Sequence, residues 1–176
     1  MPDSDRGKLA NMDAPRYPPP AVMMQSFADA VYRVHGDGEV IALRIGQPNP
    51  AMAALMARHG VSHGGLVTGE NPFGQQKPDA ENAAANEALR AAIDGLGLVR
   101  VASDGGSEDG AWNEPGFLVL GGGDDTLDRL SRQFRQAAWV RITADGTAHL
   151  AGCHYPLASS GEVPCWPADV VPGPRD

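Results

Sequence analysis

The sequence predicts one small α/β (or α+β) domain, a mixed sheet of about five to six strands with three main helices. Three observations carry that expectation. Short apolar runs of strand length, such as Val40 to Ile45, Leu66 to Thr68 and Phe117 to Leu120, alternate with stretches of helical periodicity. Asn49-Pro50 and Asp79 stand where helices should start, between apolar runs. Asp145-Gly146 separates two β-prone runs and marks a hairpin.

A chain of 176 residues with 42% hydrophobic content suits one domain with tails. Its 22 Gly and 15 Pro gather toward the ends and in loops, which divides the chain into three parts. Residues 1–22, with Pro15, Pro18, Pro19 and Pro20, read as a disordered arm. Residues 25–151 form the folded α/β domain, and residues 152–176 an irregular Pro/Gly-rich tail.

Within the domain, Ser26 is expected to cap a short helix to Arg33, before a Gly36-Asp37-Gly38 turn. Val40 to Ile45 follows as an interior strand because it is apolar nearly throughout. A helix from Asn49-Pro50 to about Arg58 then leads to the strand at Gly65 to Thr68. Strand, helix and strand at this spacing imply parallel pairing through a crossover. The longest helix runs from about Ala80 to Asp94, capped by Asp79, with Ala85, Leu89 and Ile93 inward. Leu98 to Ala102 is the third strand, Ser103 to Gly110 a loop, and Phe117 to Leu120 the fourth strand. A helix from about Asp125 to Gln136 precedes the hairpin of Ala138 to Ile142 with Thr147 to Leu150, which leaves an edge strand open to dimerisation.

Composition excludes several functions. With 14 basic against 22 acidic residues, the net charge of −8 repels phosphate backbones, so no nucleic-acid partner is expected. Arg129, Arg132 and Arg135 recur at helical spacing among aspartates and read as a solvated helix face. Cys153 and Cys165 fit no zinc spacing, His154 beside Cys153 makes no ligand set, and His59 and His63 are separated by a helix-breaking Gly60. No metal site is therefore expected. Gly121-Gly122-Gly123 before a helix resembles a phosphate cradle, but Asp124 and Asp125 occupy the first turn and repel an anion. No Gly-rich nucleotide motif or nucleophile elbow is evident, so any cofactor is left open. Without a signal-like start or a membrane-length apolar run, a soluble, cytoplasmic protein of bacterial type is expected.

Polar residues at element ends are the positive signal. Thr68-Gly69-Glu70-Asn71-Pro72 turns a buried strand into a polar corner, and Pro72 is expected to hold Asn71 extended. Asn82 and Asn86 share one helix face over that corner, with Glu81 beside them. Trp112-Asn113-Glu114 precedes a buried strand, and Gln136 closes a helix. Together Thr68, Asn71, Asn82, Trp112 and Gln136 make a candidate ligand-binding set. Asn71 and Gln136 would orient a ligand, Trp112 would stack on it, and Glu114 is the candidate general acid or base, with Glu70 as the alternative. The ligand class they suit is nucleotide-like or amide-bearing. The alternative is a non-catalytic protein-interaction module in which these residues only pin the loop 70–78. The partner is accordingly an unidentified small molecule or a protein.

These segments resemble a bacterial family catalogued as domain of unknown function 3293. Its pattern of a Thr-Ala-x-Asn-Pro strand end, a Glu-Asn helix start, a Trp-x-Glu before an apolar strand and a Phe-x-Gln-Asn-Ala segment is met here in order. The matching residues are Thr68 to Pro72, Glu81-Asn82, Trp112 to Glu114 and Phe134 to Ala138. The chain departs from it at Gly69, where the pattern has Ala, and at Ala137, where it has Asn. The resemblance spans about residues 28–151 and implies a shared small α/β domain, with no activity to carry over.

Overall fold

The computed structural model describes residues 21–152. Residues 1–20 of the expected arm over 1–22, residues 153–176 of the expected tail over 152–176, and with them Cys153, His154 and Cys165, lie outside the described residues, whereas 21, 22 and 152 belong to regular elements. Among the described residues four α-helices and seven strands follow in order: α1 (Ala21–Asp29), β1 (Val31–Gly36), β2 (Glu39–Leu43), α2 (Pro50–Arg58), β3 (Gly64–Val67), α3 (Asp79–Gly95), β4 (Val99–Gly106), β5 (Asn113–Leu120), α4 (Asp124–Gln133), β6 (Ala138–Ile142) and β7 (Ala148–Gly152). A single 3-10 turn, Pro72–Gly74, lies between β3 and α3.

The strands form one sheet in the order β2-β1-β4-β5-β3-β6-β7. Every ladder in it is antiparallel, which corrects the expected mixed sheet and crossover. β2 and β3 flank α2 in sequence, as a crossover pair would, yet β3 inserts between β5 and β6 while β2 lies at the far edge. The one parallel contact is an isolated bridge from Ile45 to Ala148, supported by Gly46 N–H donating to the Ala148 carbonyl at 2.8 Å. It joins the end of β2 to the opposite edge strand, so the sheet curls.

Alternation along the strands divides the core into two layers. On the inner face Leu66, Leu118, Leu120, Val140 and Ile142 pack with Met24 of α1 and Met52, Leu55 and Met56 of α2. On the other face Val67, Val119 and Trp139 pack with Leu89 and Ile93 of α3 and Leu127 and Leu130 of α4. Each such side chain, fully buried, contributes roughly 1.5–3 kcal/mol, and Met52, Leu89, Ile93, Leu118 and Leu127 are all wholly buried.

Local chemistry explains the element ends. Asn49 caps α2, its Oδ1 accepting the Met52 N–H at 3.0 Å, with Pro50 as the first helical residue. Ser26 is not a cap: it sits inside α1 and bonds back to the Val22 carbonyl at 3.1 Å. The helix stops at Asp29, because Val31, Tyr32 and Val34 gain more from β1, with Val34 fully buried between β2 and β4. Asp79 is likewise the first residue of α3 instead of its cap. Pro78 takes the cap position with no side-chain bond, and Asp79 and Glu81 complement the helix dipole. β4 and β5 extend to Gly106 and back to Asn113, through much of the stretch expected to be loop.

Val40, expected inside the sheet, is 59% exposed on edge strand β2. The expected arginine face holds in part: Arg129 of α4 is exposed, Arg132 is half-buried and pairs with Asp128 at 2.7 Å, and Arg135, though exposed, lies beyond the end of the helix.

Candidate functional site

The site starts from a close packing of backbone against backbone. At Gly69, a Cβ would lie 2.8 Å from the Ala85 carbonyl oxygen, so only glycine lets the end of β3 touch α3 this closely. That approach puts Asn86 within reach. Its Oδ1 accepts the Gly69 N–H at 2.8 Å, while its Nδ2 donates to the Pro115 carbonyl at 2.9 Å and to Glu70 Oε1 at 3.2 Å. Thr68 Oγ1 donates to the same Pro115 carbonyl at 2.7 Å and accepts the Glu70 N–H at 3.1 Å.

Asn71 is the centre of the loop. Its Oδ1 accepts from the Lys77 N–H and from Asn82 Nδ2, both at 3.0 Å, and its Nδ2 donates to Glu114 Oε1 at 3.0 Å. Asn82, only 7% exposed, returns the contact by accepting the Asn71 N–H at 2.9 Å and donating to the Lys77 carbonyl at 3.3 Å. The expected extended backbone before Pro72 is wrong. Asn71 is left-handed, at φ 45° and ψ 62°. Asparagine tolerates that region best among residues with a side chain, and the captured N–H and carboxamide hold it there against the preference imposed by Pro72. Gln136, buried, donates to the Glu70 carbonyl at 3.0 Å and so ties the loop to the end of α4.

Beside this corner, under α1, is a cleft on the inner face of the sheet. Thr68, Trp112, Glu114 and Gln136 line it, four of the six residues expected at a site. Asn71 and Asn82 do not line it, and neither do Glu70 and the exposed Glu81. Asn71 does border a wider groove with Phe27, Trp112 and Glu114.

The register explains why the cleft exists. Tyr32 of β1, Gly105 of β4 and Glu114 of β5 lie side by side across three strands. Having no side chain, Gly105 lets the Tyr32 ring lie directly against the strand next to Glu114. A Cβ there would lie 2.8 Å from the Tyr32 ring. Ser103 and Gly116, paired across β4 and β5, extend the floor. Tyr32, Ser103, Gly105 and Gly116 went unpredicted, because their role depends on strand register.

The electrostatics single out Glu114. Burial raises its pKa above the usual glutamate range and the neighbouring Glu70 charge adds to the rise, while the Asn71 hydrogen bond works against it. Burial, with a smaller effect from Glu114, also raises the Tyr32 phenol, whose OH donates to the Phe27 carbonyl at 2.6 Å. Glu70 is raised by burial and by Asp79. Asp104 also lines the cleft, but its carboxylate is engaged elsewhere. Strand alternation turns its carboxylate to the other face, where it binds Arg33 at 3.0 Å and His35 at 2.5 Å. Among the described residues no group of three or more His, Cys, Asp or Glu could hold a metal ion. No helix among them is long and apolar enough to cross a membrane.

Fold and corner together define a small α/β domain with a curled antiparallel sheet and a hydrogen-bonded loop beside an acid-bearing cleft. The family described as Protein of unknown function (DUF3293) has a model that matches residues 67–139, and over that stretch the chain resembles it. The match is narrower than the span expected from the motifs, yet it contains all four of them. No curated protein and no solved structure gives a match.

Proposed function

We propose that the protein is a small-molecule-binding domain whose ligand is anchored by Glu114 in the cleft beneath α1. The observation that carries this reading is a partly buried carboxyl group with a raised pKa, at a concave site walled by Tyr32, Trp112 and Phe27. Perturbed acids in apolar clefts are the groups proteins use to bind donors or to move protons. In this reading the six polar residues divide into two tasks. Asn71 and Asn82, with Asn86, build the loop and aim the carboxylate, whereas Glu114, Trp112, Thr68 and Gln136 face the ligand. Glu114 is the group that would act as general acid or base if the ligand is a substrate.

The second reading, a non-catalytic interaction module, is favoured by one observation: the bonds of Asn71 and Asn82 are spent within the loop 70–78 and its anchor points. A fragment screen read by amide NMR shifts of the full chain separates the two. The ligand-cleft reading predicts hits that shift Thr68, Ser103, Trp112, Glu114 and Gln136 together and that weaken in Trp112→Ala. A screen with no hit on those amides, or hits that map only to the sheet edges, sinks it in favour of the module.

A further inference from the structure

The cleft has a volume of about 70 Å³, room for a substituent. It opens toward a groove of about 540 Å³ that shares Phe27, Trp112 and Glu114 with it. A ligand would therefore lay a ring in the groove, against Phe27 and Trp112, and send one group into the cleft they share. Within reach of that group is the Glu114 carboxyl. Oε1 takes the Asn71 bond, and Oε2 accepts none from the described residues. The Asn71 Nδ2 bond to Oε1, at 3.0 Å, holds the carboxyl in place.

Charge selects further. Among the described residues lining the cleft and the groove there is neither lysine nor arginine. Glu70 adds negative potential at Glu114. A phosphate or carboxylate placed there meets like charge in a partly desolvated site, whereas an N–H donor meets an acceptor. From this juxtaposition we infer that the site takes a flat, phosphate-free ring bearing an N–H donor, in the class of aromatic amidines, amides and amino-heterocycles. The inference rests on the ligand-cleft reading and narrows it: the nucleotide-like ligands suggested by the sequence are reduced to a base or amide without its phosphate.

Benzamidine, benzamide and benzoate share one ring and differ in charge, so they test this directly. Titrations of the full chain at pH 7.5, followed by amide NMR shifts, are expected to rank benzamidine first, benzamide about tenfold weaker, and benzoate without effect at the cleft. Glu114→Gln should bring benzamidine down to the level of benzamide. If that variant melts early, lowering the pH on the wild-type protein does the same work, since protonating Glu114 must shrink the benzamidine advantage. Benzoate binding as well as benzamide, or a benzamidine preference that survives in Glu114→Gln or at low pH, overturns the inference and leaves the cleft reading intact. Silence of all three at the cleft counts against the ligand-cleft reading itself.

Discussion

Replacing Asn71 by alanine removes more than one contact. It deletes the acceptor of the Lys77 N–H and of Asn82 Nδ2, and the donor to Glu114 Oε1, each at 3.0 Å. It also leaves a residue less tolerant of the left-handed region at φ 45°. A net hydrogen bond contributes about 0.5–1.5 kcal/mol, and one to a charged group somewhat more. The backbone penalty adds roughly 1 kcal/mol. Because the loop is half-exposed and water replaces part of what is lost, the expected cost of Asn71→Ala is about 2–4 kcal/mol. Urea unfolding at pH 7 measures it, with Asn71→Gly as the partner variant. Glycine loses the same side-chain bonds but accepts the backbone geometry, so it should be less damaging by roughly 1 kcal/mol. A cost for alanine below about 0.5 kcal/mol, inside the range of ordinary surface substitutions, would refute the claim that Asn71 organises the loop.

Other consequences are open to the same kind of measurement. Gly69→Ala forces a Cβ against the Ala85 carbonyl and should destabilise by about 1–3 kcal/mol, although the family pattern that the chain resembles has alanine there; a neutral melt would show that the β3–α3 approach is not tight. Tyr32→Phe removes the bond to the Phe27 carbonyl and should cost about 1 kcal/mol, with faster amide exchange in α1 as the local readout. For Glu114 the folded-state pKa is raised, so its contribution to stability is greatest below the unfolded value and falls as pH rises toward and through the folded one. Glu114→Gln should therefore gain on the wild type as pH increases from 4 to 8, in paired thermal melts; a constant or opposite difference contradicts the burial of that charge.

The corner was legible in the sequence because its parts are local. Asparagines in an alanine-rich helix and an Asn-Pro after a short apolar strand are odd enough to mark polar bonding, and Asn82 and Asn86 do meet the end of β3. Asn49-Pro50 and Asp145-Gly146 were readable for the same reason, as each acts within a few residues. Strand pairing was not. Nothing local distinguishes the strands flanking α2 from a parallel pair, and antiparallel order emerges only when β5 and β6 enclose β3. Val31 to Arg33, the start of β1, reads as the end of the preceding helix because Phe27, Ala30 and Val31 fit both a helical stripe and the start of a strand. The conformation of Asn71 also escaped, since proline's local bias was outweighed by bonds to Lys77 and Asn82, several residues on. The floor of the cleft could not be read at all. Gly105 and Gly116 matter only because Tyr32, Glu114 and Ser103 are their register partners.

The central claim is that Glu114 is a partly buried acid with a free oxygen turned to a ligand. Titration of its side-chain carboxyl carbon by NMR, with and without benzamidine, tests this most directly. The account predicts a midpoint above the ordinary glutamate range in the free protein, moved downward when the amidinium is bound. A midpoint at or below the ordinary range, unmoved by benzamidine, would contradict it.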